Sequence, residues 1–171
     1  KNWDRANELA CALESAVQSS RLSDVVLAAE TRTRLLICQC ELALALKSSA
    51  TAIEAAVATG MVYWEVLQRA SAMEALAELG RHEDARDHAQ RCYALVRGTC
   101  LAYWETELRI IEAYIALQEG SVEDCQALLR EAFSGPDGQW RDGRLHGRIL
   151  SAMCAEALEA DIEVAKVRGV I

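Results

Sequence analysis

The sequence predicts an all-α chain of antiparallel helical hairpins, and two observations carry that expectation. Good helix formers fill it: Ala, Leu and Glu dominate, Pro136 is the one proline and Phe133 the one phenylalanine, and β-branched runs are scarce. It also repeats. Tyr63-Trp64-Glu65 recurs as Tyr103-Trp104-Glu105, Arg69 as Arg109, Gly80 as Gly120 and Glu83-Asp84 as Glu123-Asp124, each forty residues later. Self-similarity at a fixed period marks supersecondary units that stack on one another. An earlier, weaker copy is read from Ala29-Glu30 and Arg34 through Ala43-Leu44-Ala45-Leu46 to Ala52, at an offset of about 33 to 35, and a later one is expected to start at Trp140.

Each unit reads as two helices. Tyr103 to Gln118 carries Leu108, Ile111, Ile115 and Leu117 near helical period, and Gly120 follows where a left-handed residue ends a helix. Ser121 is the expected N-cap of the next helix, with Glu123 and Asp124 in its first turn against the helix dipole. Leu128, Leu129 and Phe133 continue that helix to the break at Ser134-Gly135-Pro136. The preceding unit has the same grammar: Tyr63 to Leu79, a Gly80-Arg81 turn, Glu83 to Val96, then Gly98. About nine helices are expected in all, at 4–19, 24–46, 49–59, 62–79, 82–97, 101–119, 121–134, 142–160 and 162–168, with a Gly-, Pro- and Asp-rich loop over 135–143.

A single hairpin cannot bury both faces, so neighbours must stack into a continuous core. The pattern resembles tetratricopeptide-like (TPR-like) arrays, in which antiparallel hairpins build a right-handed superhelix, an α-solenoid. Residues 1–171 are expected to form one such helical-repeat domain, enough chain to bury roughly 70% of its unfolded surface. The chain begins at Lys1 rather than Met and stops at Val170-Ile171 within an apolar pattern, as expected of a piece of a longer protein.

Charge and cysteine usage exclude whole classes of function. A net charge of −8, with an isoelectric point near 4.9, argues against direct nucleic-acid binding, which needs clustered Lys and Arg to displace counterions, and against anionic membranes. The seven cysteines (Cys11, Cys38, Cys40, Cys92, Cys100, Cys125, Cys154) form no Cys-x-x-Cys pair and no zinc spacing with His. Most are expected to pack as small hydrophobes, in a reducing cytoplasm. No apolar run is read as reaching the ~18 residues of a membrane span, and no charged-then-apolar stretch is read as resembling a signal peptide.

Nothing in the sequence assembles a catalytic constellation. His82, His88 and His146 show no paired-ligand spacing; Asp84 and His88, four apart, are expected at most to pair on the surface. Glycines 135, 138, 143 and 147 lack the Gly-Lys-Ser/Thr ending of a phosphate loop, and no two carboxylates are placed in a cleft that would split their pKa values. The chain is therefore expected to be no enzyme, to hold no metal and to need no cofactor. What remains is Tyr-Trp-Glu-x-x-x-Arg. Its Glu and Arg meet on one helix face, for ~0.3 to 0.5 kcal/mol if exposed. Trp64 and Trp104 are either packing knobs between hairpins or, with Tyr63, Arg69, Tyr103, Arg109 and Trp140, a recurrent strip of ligand- or partner-binding side chains along a concave groove.

The run Ala157-Leu158-Glu159-Ala160-Asp161-Ile162-Glu163-Val164-Ala165-Lys166-Val167-Arg168-Gly169-Val170-Ile171 resembles the segment that closes the TPR-like region of MalT-like, LuxR-family ATP-dependent bacterial transcriptional regulators. Asp161 stands where that pattern has Gly, and Val170 where it has Leu. The resemblance implies a parent chain with an upstream nucleotide-binding module and a downstream DNA-binding domain. This superhelix would be the cytoplasmic signal-sensing segment that takes a small-molecule inducer or a protein, and DNA and ATP would bind elsewhere in the parent. The other expectation is a free-standing TPR-like adaptor for protein–protein interaction, docking a peptide or protein.

Overall fold

The computed structural model describes residues 3–17 and 21–134, and among these it is all helix. The elements are α1 (Trp3–Ala16), α2 (Leu22–Cys38), α3 (Leu42–Thr59), α4 (Val62–Glu78), α5 (His82–Val96), α6 (Trp104–Gln118) and α7 (Val122–Ser134). The chain divides into two compact units, Lys1–Thr99 and Cys100–Ile171. In the first, α1 packs on α2, α2 on α3 and α4, and α4 between α3 and α5; in the second, α6 packs on α7. The helices expected at 142–160 and 162–168, the loop over 135–143 and the unit starting at Trp140 lie outside the described residues.

The connections α2–α3, α3–α4, α4–α5 and α6–α7 share one recurring turn. Cys40, Gly60, Gly80 and Gly120 take left-handed backbone, with φ of 62°, 67°, 69° and 82°. The next residue's amide then reaches back: Glu41 to Leu36, Met61 to Ala56, Arg81 to Leu76 and Ser121 to Ala116, each at 2.9 Å. This is the Schellman closure, which satisfies carbonyls the helix end would orphan. The same four residues open the following helix, their carbonyls accepting from Ala45, Glu65, Ala85 and Cys125 at 3.0 or 3.1 Å. Ser121 stands at its expected place, and its hydroxyl donates to the Asp124 carboxylate at 2.5 Å.

Two expectations change here. The helix foreseen over 24–46 does not exist as one piece: α2 stops at Cys38 and α3 runs unbroken from Leu42 to Thr59, absorbing the segment foreseen at 49–59. The physical reason is Cys40, which takes the left-handed position with no glycine to announce it. The offset of the early copy changes with it. Cys40 precedes Gly80 by forty, and α3, α5 and α7 start forty apart, at Leu42, His82 and Val122.

Burial follows the same count. Ala45, Ala85 and Cys125 are buried; so are Ser49, Ala89 and Leu129, then Ala52, Cys92 and Ala132, on the second helix of each hairpin. On the first helix the buried sets are Val26, Val66 and Thr106, then Thr33, Met73 and Ala113, then Leu36, Leu76 and Ala116. Small residues at most of these places let helix axes approach at the close end of the usual 8–10 Å. Cys92 and Cys125 pack as small hydrophobes, but Cys11, Cys38, Cys40 and Cys100 are exposed, so packing accounts for a minority of the described cysteines; Cys154 lies outside them. One helix also reaches the length and apolarity of a membrane span: α3, 18 residues with mean hydropathy 1.2. Leu42, Leu44, Leu46, Ile53 and Val57 carry most of that apolarity, and of its alanines Ala45, Ala52, Ala55 and Ala56 are buried in the unit.

A non-glycine residue in left-handed backbone costs roughly 1 kcal/mol through its Cβ. Cys40→Gly is expected to stabilise the protein by about that amount, read as a higher urea midpoint with an unchanged slope; a lower midpoint would mean that the Cys40 side chain contributes contacts worth more than the strain.

Candidate functional site

The two copies of Tyr-Trp-Glu-x-x-x-Arg begin hairpins, yet they pair differently. On α4, Glu65 is 4% exposed, and its Oε1 accepts from Arg69 Nε at 2.8 Å and from Arg91 Nε of α5 at 3.3 Å. On α6, Arg109 meets Glu105 at 3.3 Å and Glu131 of α7 at 3.6 Å, all three more open to solvent. Positions 91 and 131 are forty apart, so the sign at that place is inverted. One copy is a buried carboxylate between two arginines. The other is an arginine between two carboxylates.

Arg69 also lines a cleft of about 440 Å³ between α3, α4 and α5, with Leu46, Ile53 and Glu54 on one side, Ala72 and Leu76 at the base, and Arg81, Asp84, Asp87 and His88 on the other. A second cleft of about 380 Å³ lies between α1, α2 and α3, lined by Glu14, Ala29, Arg32, Leu36, Leu44, Lys47 and Ser48 among others. Seven lining residues of the first fall at an offset of forty from lining residues of the second: Glu14 to Glu54, Ala29 to Arg69, Arg32 to Ala72, Leu36 to Leu76, Leu44 to Asp84, Lys47 to Asp87, Ser48 to His88. Volumes of this size fall in the ~300–1,000 Å³ range of ligand pockets. Asp84 is taken by Arg81, at 2.6 Å, rather than by His88. His88 Nδ1 is shut from solvent with no hydrogen-bond partner among the described residues. Its pKa is pushed below the ordinary value by burial and then by Arg69, against the opposing pull of Asp87 and Asp84.

The remaining residues foreseen as a binding strip are not brought together in this cleft. Trp64 is half-buried and packs, with Val25 and Met61, on the core cluster of Val26, Ala55 and Ala56. Tyr63 is 40% exposed and meets the Trp64 ring edge-on, with centroids 5.5 Å apart. Tyr103, Trp104 and Arg109 belong to the second unit, where the two rings tilt against each other at 6.0 Å. Trp140 lies outside the described residues. Glu54 and Asp87 escaped the sequence reading; they stand forty residues after Glu14 and Lys47, which line the other cleft.

A polar seam joins α2 and α4. Gln68, fully buried, donates its amide to Glu30, accepts through its backbone carbonyl from Ser49 Oγ at 2.9 Å, and lies in the same seam as Arg34, which bridges Glu30 at 3.8 Å and Glu74 at 3.1 Å. Burial pushes the Glu30 carboxyl above its ordinary value; Arg34 and the Gln68 amide pull it back in part, and Glu74 adds to the rise. Cys92, fully buried beneath Arg69 and Glu65, has its thiol pushed up to about 12 by burial and is inert as a nucleophile. Among the described residues no three His, Cys, Asp or Glu side chains gather as a metal site.

In comparison with known proteins, no family model, curated protein or solved structure matches this chain.

Arg69→Ala leaves the buried Glu65 carboxylate with Arg91 as its remaining partner, so it is expected to cost about 1 to 3 kcal/mol, and Arg109→Ala, in its more solvated setting, under ~1 kcal/mol; equal costs in denaturant melts would mean that the two copies are energetically alike. The pH dependence has two opposed parts. Glu30, with its folded pKa raised, contributes stability that is lost as pH rises from its ordinary 4.5 through the folded value. His88, with its folded pKa lowered from 6.5, contributes stability that is lost as pH falls below that value. Glu30→Gln is expected to abolish the first slope and His88→Gln the second in melts followed from pH 4 to pH 8; a variant that keeps its slope would assign that titration to another group.

Proposed function

We propose that this chain is a non-catalytic binding segment, a TPR-like stack of hairpins forming the effector-sensing part of a bacterial cytoplasmic transcriptional regulator of the MalT-like kind. The observation that carries the binding reading is the repetition of one cleft with a constant frame and a changed lining. Positions 45 and 85 are both alanine and positions 36 and 76 both leucine, whereas 47 and 87 are lysine and aspartate, and 32 and 72 arginine and alanine. A frame that holds while the side chains facing solvent vary is what a repeat needs to read different parts of one ligand. The regulator context is supported by the resemblance over residues 157–171. The inducer is a small molecule or a protein, and the partners within the parent are its nucleotide-binding and DNA-binding domains.

A free-standing adaptor would use the same clefts, and the gene product on either side of these residues separates the two readings: a P-loop upstream or a helix-turn-helix downstream decides for the regulator. Function is tested in that full-length protein. Ala50 lines the cleft and is exposed, so Ala50→Trp fills it without entering the core. The variant is expected to lose its transcriptional response to inducer while keeping its melting temperature and its DNA affinity. A full response would overturn the cleft as the sensing site.

A further inference from the structure

The two equivalent clefts differ in one respect that bears on what the second one takes. In the first, Glu14 Oε1 is met by Arg32 Nε at 3.9 Å, so the carboxylate on the preceding helix is answered from the base of the cleft. Forty residues on, Glu54 holds the place of Glu14, but Ala72 holds the place of Arg32. The opposite wall changes sign as well, Lys47 giving way to Asp87.

The second cleft does contain arginines, but they are engaged: Arg69 with Glu65 at 2.8 Å and Arg81 with Asp84 at 2.6 Å. Glu54 and Asp87 make no ion pair or hydrogen bond among the described residues. Glu54 and Asp87, the latter with His88 beside it as its one electrostatic neighbour among the described residues, thus line a cleft whose base and wall are Leu46, Ile53, Ala72 and Leu76.

Resting on the binding reading above, we propose that the cleft between α3, α4 and α5 receives an arginine or lysine side chain from a partner protein, its alkyl stem lying on Leu46, Ile53 and Leu76 and its cationic head meeting Glu54 and Asp87. The incoming cation does from outside what Arg32 does from within in the preceding repeat. A long basic side chain fits the chemistry because it buries an apolar stem while its head stays at a wet, charged rim. Arginine is the better occupant, since its planar fork can serve two carboxylates at once. The chain's net charge of −8 steers a basic partner towards it.

The test uses the 171-residue chain with methyl-labelled Leu and Ile, titrated with butylguanidinium, butyrate and butanol, and with an alanine-rich helical peptide bearing one arginine. Butylguanidinium is expected to move the methyl resonances of Leu46, Ile53 and Leu76, with butyrate and butanol leaving them in place, and the peptide is expected to bind more tightly than the small probe. The double variant Glu54→Gln with Asp87→Asn should weaken butylguanidinium binding roughly tenfold, the loss of two rim charge contacts of ~0.7 kcal/mol each, with its other resonances unchanged because both residues are exposed. Ala72→Arg, which rebuilds the internal pair of the first cleft, should block the probe.

Movement by butyrate would make Arg69 and Arg81 the anchors of an anionic ligand and overturn the proposal. Equal effects of butanol and butylguanidinium would show that charge plays no part and overturn it too, as would no movement with any probe. A peptide that binds no more tightly than butylguanidinium would overturn the choice of a protein segment. The broader binding reading fails separately, through an Ala50→Trp regulator that still responds in full.

Discussion

Reversing a helical chain within three residues requires one residue in left-handed backbone, and the hydrogen bond that follows it is the constraint on which the rest of this structure depends. The amides of Glu41, Met61, Arg81 and Ser121 each close the helix behind them while their carbonyls start the helix ahead. Because the turn consumes no spare residues, the starts of α2, α3, α4 and α5 fall twenty apart, at Leu22, Leu42, Val62 and His82. Core positions of a hairpin are therefore buried again forty residues later. Core sets such as Ala45, Ala85 and Cys125 follow directly from that register.

Inside this regular frame the polar groups are where neighbouring repeats differ. Glu65 is held between Arg69 and Arg91, whereas the corresponding Glu105 shares its arginine with Glu131. Gln68 sits fully buried where Ala28 and Leu108 stand in the adjoining hairpins, and it carries the link to Glu30 that ties α4 to α2. Such groups contribute little net stability, since their desolvation offsets most of the attraction. They distinguish one repeat's neighbour from another's, a role that apolar packing of nearly identical alanine faces does not supply. The two clefts of the first unit express the same division, with shape set by the frame and charge set by the variable positions.

What the sequence by itself determined is the helical class and the period. Alanine-rich segments without strand alternation specify helices, and Gly80 and Gly120 mark turns because only glycine adopts left-handed backbone without strain. The repeated Tyr-Trp-Glu-x-x-x-Arg carries the offset of forty, and its first arginine, Arg69, lines a cleft. The early hairpin escaped because its turn residue is Cys40, for which left-handed backbone is tolerated only under the closing hydrogen bonds of the turn.

Only the tertiary structure decided which side chains share a cleft. Arg91 reaching Glu65, Gln68 reaching Glu30 and Arg34 reaching Glu74 are pairings across helices, at separations in sequence that no helical periodicity encodes. It likewise set Trp64 on the core of Val26, Ala55 and Ala56 and left Tyr63 outward, although the two are adjacent in sequence. Glu54 and Asp87 are unremarkable as letters, being exposed acids on two amphipathic helices. They come to line one cleft when α3 and α5 flank α4, with Ala72 at the place where the previous repeat has Arg32. The reason is physical: period and propensity are local properties of the chain, whereas charge complementarity in a cleft is a relation among three helices that exists only once they have packed.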